Sequence, residues 1–371
     1  MGTARGWADY RDDVATLDEL AERFREFGQV STATRAPLYS RLAAAVADDH
    51  EVLKLLQHAP ETQQLPVLLF AGVHYLLLHE RHAPLAQLYP NLSPGSAPAD
   101  DPAPLFREFA LDREQALLEV LTTRNTQTNE VGRCSQFLPA FGIIEREVGP
   151  LAHIDVGTSA GLTLLLPRFA YEFSPGGAVR PDEPSAVLLR CTVRGELGVP
   201  LPTTMPTVTR SVGIDMAPIN VLDDDEVLWL EACVWPDQAD RFERLVAAIG
   251  MARANPPEVH RGDAIRGLAA VVDRVCHEGH PVVTNSWVLN YLPHDERRRY
   301  VDELDRLGSR RDLSWVIAEA PAQTPGLPVP TTNPPEQITV VSLVRWRNGV
   351  RTTQRLATTH PHGYWLEWEA R

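Results

Sequence analysis

Positive charge is what this sequence has least of relative to its opposite. It carries 35 Lys and Arg against 49 Asp and Glu, a formal net charge of -14 over 371 residues. Phosphate-backbone binding needs a concentrated basic surface, so a nucleic-acid partner is not expected. A local basic pocket for a small acidic substrate is still compatible with that balance. Long apolar runs are missing too. The longest, LPVLLFAGVHYLLL from Leu65 to Leu78, contains His74. It is shorter than the roughly 20 residues a bilayer crossing needs, so it reads as a buried helix and no membrane partner is expected. The start, MGTARGWADYRDD, lacks the apolar stretch of a secretory signal and is read as carrying none. The four cysteines (Cys134, Cys191, Cys233, Cys276) lie far apart without a CxxC pair. That fits reduced thiols in a cytoplasmic protein and gives no zinc or disulfide pattern. The cluster of His74, His79 and His82 lacks the HExxH spacing, and with His360 and His362 it gives no metal site. No GxxxxGK[ST] occurs, which excludes a P-loop, and no internal repeat is visible.

What is present falls into two textures. Up to about residue 110 the pattern is helical: Val14, Leu17, Leu20, Ala21 and Phe24 form one stripe, PLYSRLAAAVADDHEVLKLL repeats the spacing, and Leu65–Leu78 is the buried partner. A proline-rich stretch from Tyr89 to Phe106 reads as a loop, after which FREFALDREQALLEVLTTR resumes a helix. From about residue 150, short apolar runs alternate with helical patterns. The runs are Leu151–Gly157, Arg210–Asp215, Pro257–Asp263, His280–Trp287 and Leu313–Ala320. The helices between them are expected at Leu162–Phe169, Ala239–Gly250, Ala264–His277 and Asp295–Leu307. This alternation predicts an α/β fold with a mostly parallel, doubly wound sheet. QITVVSLVRWRNG and TTHPHGYWLEWEA close the chain as a terminal antiparallel strand pair. The expected division is a helical region over 1–110 and a core over 111–371, with an insertion at about 174–206.

In a doubly wound sheet, ligands bind outside the carboxyl ends of the strands. The first expected strand ends in Asp155-Val-Gly157-Thr-Ser159-Ala-Gly161, whose small residues let the backbone turn tightly and approach a ligand. The second ends in Asp215, where a carboxylate can accept both hydroxyls of a ribose. The third ends in Gly262-Asp263, where an acid can accept from an adenine amino group.

HIDVGTSAGL, the VGID segment followed by Pro218, RGDA and the helix LPHDERRRYVDELDRLG together resemble the class I S-adenosylmethionine-dependent methyltransferases over roughly residues 125–371. TQTNEVGR, VHYLLL and CVWPDQ also resemble a largely uncharacterised actinobacterial family, a domain of unknown function with a methyltransferase-like core. The resemblance implies a Rossmann-like methyltransferase core that binds S-adenosylmethionine. Asp155, Gly157, Ser159 and Gly161 would lie at its methionine end, Asp215 at the ribose, Asp263 at the adenine, and Asn285 nearby. The chain departs from that pattern in two places. Ser159 stands where methyltransferases of this class often carry glycine, and Gly161 and Asp215 are 54 positions apart, where roughly 20 is typical of a dinucleotide fingerprint. The extra length, Ser174–Pro206, is expected above the site as a lid.

Groups that would face an acceptor come from three stretches. NTQTNEVGRCSQF puts Asn129, Glu130 and Arg133 at a helix start, with Arg133 able to pair with a carboxylate; the alternative is simple helix capping by Thr126 or Thr128. CVWPDQADRFERL offers Asp237 and Arg241, or merely a helix start with proline in its first turn. TNSWVLNYLPHDE follows the fourth strand with Asn285, Trp287, Tyr291 and His294, and His294 has the chemistry of a general base. The stretch lacks the Asn-Pro-Pro-aromatic pattern of enzymes that methylate nucleic-acid amines. The expected activity is therefore methyl transfer to an oxygen or nitrogen of a small molecule, with His294 and Glu130 as catalytic groups, in a cytoplasmic protein for which a homodimer is one allowed assembly. Two rivals remain: a protein that binds S-adenosylmethionine or its product without transfer, and a nicotinamide-dependent oxidoreductase. The second is disfavoured because GTSAG lacks GxGxxG.

Overall fold

The computed structural model describes residues 15–32, 35–95, 101–324, 326–331 and 337–370. The sequence start, Val14 of the first helical stripe and residues 96–100 of the expected Tyr89–Phe106 loop lie outside them. The chain forms two compact units, one of Asp9–Thr128 with Asp223–Val246, the other of Asn129–Leu222 with Ala247–Arg371. The helical unit thus runs past residue 110 and takes in a later stretch of chain.

In the helical unit, α1 (Leu17–Glu26) starts at a capping box in which Thr16 and Glu19 satisfy each other's backbone N–H. The PLYSRLAAAVADDHEVLKLL pattern divides into α2 (Pro37–Ala47) and α3 (His50–Gln57). The break falls where Asp49 turns its carboxylate onto the N–H groups of Glu51 and Val52 at 3.0 and 3.2 Å, because aspartate favours a cap over a helix interior. The apolar run becomes α4 (Pro66–His79), buried nearly all round. Phe70 stacks on Tyr39 at 4.6 Å and meets Phe24 and Phe106 edge-on. α5 (Ala103–Asp112) and α6 (Glu114–Thr123) follow. α8 (Asp224–Ala232), which the hydrophobic pattern does not announce, is capped by Asp223. Buried His74 donates from Nδ1 to the Ala232 carbonyl at 2.9 Å and accepts at Nε2 from the Asn91 amide at 3.0 Å. Burial lowers its pKa to about 4, so it is a neutral packing residue.

Among the described residues, the other unit holds eleven strands in one sheet. They are β1 (Leu151–Val156), β2 (Ala170–Ser174), β3 (Gly177–Val179), β4 (Leu188–Arg194), β5 (Val208–Asp215), β6 (Glu258–Arg261), β7 (His280–Ser286), β8 (Leu313–Glu319), β9 (Thr339–Arg347), β10 (Val350–Thr359) and β11 (Trp365–Trp368). Their order is β3-β2-β4-β11-β10-β9-β8-β7-β1-β5-β6. The β6-β5-β1-β7-β8 part is parallel throughout, and in chain sequence its strands run 3-2-1-4-5, so strand order reverses between β1 and β7. β1 and β8 are buried along their whole length and read as near-continuous apolar runs, whereas β6 (EVHR) at the edge is only half-buried. On one face, Ala152, Ile154 and Val156 of β1 pack with Val271, Val272 and Val275 of α10 (Leu268–Val275) and Tyr300, Leu304 and Leu307 of α11 (His294–Gly308). On the other, His153 meets Phe141 of α7 (Cys134–Val148) edge-on at 5.0 Å. The alternation along β1 therefore puts Asp155 on the α7 face.

Three expectations are corrected. Leu162–Phe169 is no α-helix: residues Leu162–Arg168 form a 3-10 segment with Pro167 inside it, since proline has no N–H to continue an α-helix. The 174–206 insertion is no lid as far as its strands go. β2, β3 and β4 extend the sheet beyond β11, and Pro202 packs where a Cβ on Gly142 of α7 would stand. The terminal pair is a three-strand antiparallel run, β9-β10-β11. TTHPHGYWLEWEA spans the end of β10, a turn and β11, while the polar residues of β10 hid that strand. The long helix expected from Ala239 is α9 (Ala239–Ala254).

Candidate functional site

At the point where strand order reverses, the turns after β1 and β7 leave ordinary backbone space together. Gly157, Ser159 and Gly161 have φ of +70°, +53° and +74°, and Trp287 has +58°. For a bulky residue that region costs roughly 1–2 kcal/mol. Trp287 is held there by its N–H on the Ala318 carbonyl at 3.1 Å and its indole N–H on Thr339 Oγ1 at 2.8 Å. Clusters of such positions mark functional sites more often than other surfaces. Gly157 is required for a second reason: a Cβ there would run into the methyls of Val288. Gly213 of β5 makes the same allowance for Thr158, and Gly161 for Pro257 and Val259.

The expected acids stand at the ends of β1 and β5 and just past β6, and each has work in the fold. Asp215 takes the Ser159 N–H on one oxygen and the Ala217 N–H on the other, both at 2.8 Å. Asp263 accepts the N–H groups of Ile265 and Arg266 at 2.9 and 2.8 Å. Asp155 is almost wholly buried, and its Oδ1 accepts the Thr284 hydroxyl at 2.6 Å. Burial pushes its carboxyl up to about 6, helped by Asp215 and opposed by the hydroxyl donors and Arg133. His153 Nε2 lies 2.8 Å from the same Thr284 oxygen. With that hydroxyl donating to Asp155, Nε2 must carry the imidazole proton. Burial lowers the His153 pKa to about 3, so the ring is neutral.

The TNEVGR stretch ties three turns together. Asn129 Oδ1 accepts the Leu162 N–H at 3.0 Å, capping the segment after the β1 turn. Arg133 donates to the Ser286 carbonyl at the end of β7 (3.1 Å) and to the Pro361 carbonyl between β10 and β11 (3.0 Å), 5.9 Å from the Trp287 ring centre. Buried Glu130 accepts the Gly132 N–H at 2.9 Å and faces His362 Nδ1 at 3.7 Å. Gly132 has no room for a side chain because the His362 carbonyl is against it. The structure thus gathers Asn129, Glu130, Arg133, Asp155, Gly157, Ser159, Gly161, Asp215 and Trp287 around the ends of β1, β5 and β7.

Asn285 stands beside them but faces inward. It is fully buried, accepts the Trp315 indole N–H at 2.6 Å and the Tyr300 hydroxyl at 3.4 Å, and donates to Glu319 at 2.7 Å. Tyr291 is 61% exposed, and His294 is exposed at the first position of α11. Asp237 and Arg241 belong to the helical unit. Asp237 caps α2 through the N–H groups of Leu38 and Tyr39 at 3.0 and 3.5 Å, and buried Arg241 binds Gln238. The sequence reading missed Glu319 at the end of β8. An acid closing the apolar run LSWVIAEA is the same signal that singled out Asp155 and Asp215. Among the described residues no group of three or more His, Cys, Asp or Glu is placed to hold a metal.

The comparison that decides kinship is a family model matching residues 21–368, across both units. The chain belongs to the DUF2332 family. Its members are described as an uncharacterized protein conserved in bacteria. No curated protein and no solved structure matches this DUF2332 chain. Among its described residues, no helix is long and apolar enough to cross a membrane.

Proposed function

We propose that this DUF2332 protein has a Rossmann-like methyltransferase core and is an S-adenosylmethionine-dependent methyltransferase acting on an oxygen or nitrogen of a small molecule. The observation that carries the proposal is the hydrogen bonding of the β1 turn within the 3-2-1-4-5 strand order. The N–H groups of Gly157 and Thr158 reach the Ile214 carbonyl, that of Ser159 reaches Asp215, that of Gly161 the Thr158 carbonyl, and that of Leu162 the Asn129 side chain. A turn that receives a pyrophosphate keeps such donors for the ligand. This one has turned them inward, which disfavours a dinucleotide and suits an adenosyl group that carries no phosphate. The acids support the same ligand. Each oxygen of Asp215 holds one N–H and keeps a second acceptor direction for a ribose hydroxyl. Asp263 has one carboxylate oxygen beyond those capping contacts. Buried Asp155 supplies negative charge suited to a sulfonium cation.

When bound, S-adenosylmethionine supplies an activated methyl group. The protein's share is then alignment and exclusion of water, for which good positioning contributes on the order of 7 kcal/mol or more. Arg133 and Trp287 would orient the acceptor, Glu130 and His294 are the proton-handling candidates, and Tyr291 is exposed enough to touch it. The net charge of -14 keeps nucleic acid out of the proposal. Cytoplasmic residence belongs to it, and a homodimer is an assembly it allows. Incubation with methyl-labelled S-adenosylmethionine and pooled small alcohols, carboxylates and amines tests it. Labelled product is expected from wild type and not from Arg133→Ala. Binding of the cofactor without labelling of any pool favours the second reading, a binding protein without transfer. One observation favours that reading: Asp155, Glu130 and Glu319 are all buried.

A further inference from the structure

Val288 of the turn after β7 packs against the turn after β1: its methyls occupy the space a Cβ on Gly157 would need. Val288 is itself held from behind. Its N–H and that of Leu289 donate to Oε1 of Glu319 at 2.8 and 3.2 Å, and the Asn285 amide donates to the same oxygen at 2.7 Å. Glu319 is 0% exposed, and its Oε2 makes no hydrogen bond. Three donors converging on one buried oxygen make an acceptor-only socket, which a carboxylate fills and an amide fills only by burying two N–H donors in its place.

We propose that Glu319 is a positioning residue for the β1 turn: through the Val288 and Leu289 N–H groups it fixes Val288, and Val288 fixes Gly157. Its consequence for ligand binding rests on the reading of that turn as an adenosyl site, but the contact itself does not. Burial pushes the Glu319 carboxyl up to about 7, opposed by its N–H donors and by Arg133. The groups around it are Arg133, just ahead of α7, Asn285 of β7 and Tyr300 of α11. Tyr300 is kept neutral by burial and is influenced also by Asp155 of β1. Opening the turn would let Glu319 reach water and return toward its ordinary value of 4.5. The closed turn is therefore most stable below that value and loses stability as pH rises through about 7.

Amide exchange of the full chain without ligand, for wild type, Glu319→Ala, Glu319→Gln and Val288→Ala, tests this. Glu319→Ala should lower protection by roughly tenfold or more in both 286–291 and 157–162. Val288→Ala should lower it in 157–162 and leave the 288 and 289 amides protected. Wild-type protection factors in 286–291 should fall between pH 5 and 8, and those of Glu319→Gln should fall less. Loosening of 286–291 alone in Glu319→Ala, no change at 157–162 in Val288→Ala, or an identical pH profile in Glu319→Gln would overturn the proposal. If Glu319→Ala does not fold, the other two variants decide. Failure to bind S-adenosylmethionine would count against the function and leave this test standing.

Discussion

Gly157→Ala probes the contact at the centre of the site, and its cost divides into two parts. A non-glycine residue at φ +70° costs roughly 1–2 kcal/mol. Forcing a methyl into the space Val288 occupies adds overpacking of roughly 1–3 kcal/mol. The single variant should therefore lose about 2–5 kcal/mol in urea unfolding followed by tryptophan fluorescence and circular dichroism. Val288→Ala alone removes two half-buried methyls and should cost about 1–2 kcal/mol. In the double variant the clash disappears while the φ cost stays, so the two effects should fall short of their sum by about 1–3 kcal/mol. Additivity within about 0.5 kcal/mol would mean the two residues do not press on one another, and the coupling between the β1 and β7 turns would fall with it.

Other outcomes follow from individual contacts. Asp237→Ala should cost about 1–2 kcal/mol by uncapping α2; an unchanged melt with altered ligand binding would return Asp237 to the substrate. Asn129→Ala should cost about 1 kcal/mol through the lost cap on Leu162 and raise amide exchange over 157–166; unaltered exchange there would count against the clasp. Asp155 has a folded pKa of about 6 against an ordinary 3.8, so its contribution is present below 3.8 and lost as pH rises through 6. Unfolding free energy of wild type relative to Asp155→Asn should drop by roughly 2–3 kcal/mol between pH 3.5 and 7, and a flat difference would place Asp155 in a polar environment.

β1 and β8 were readable because parallel strands buried on both faces show as near-continuous apolar runs, while β5 and the polar edge strand β6 were marked by the glycine and acid at or just past their ends. β10 was not, since VRTTQR carries too few apolar residues to mark a face. α8 was missed although Asp223 ahead of DDEVLWLEA is a cap signal; its hydrophobic residues are spread around the helix instead of lying on one stripe. The 3-10 segment was legible in Pro167 alone. At the site, acids at strand ends were visible as letters, and Glu319 carried the same mark. Their partners were not visible. Asn129 reaches Leu162, Arg133 reaches Ser286 and Pro361, and Asp237 reaches Leu38. Such pairings are set by how distant segments meet, which no local pattern encodes. Asn285 shows the reverse: its position at a strand end suggested a ligand contact, while its register in β7 turned it toward Trp315 and Tyr300.

The most direct test of the central claim is calorimetric titration with S-adenosylmethionine and with S-adenosylhomocysteine, for wild type and for Asp215→Ala checked to be folded by circular dichroism. The account predicts micromolar binding by wild type that the variant loses. A folded wild-type protein that binds neither ligand would contradict it.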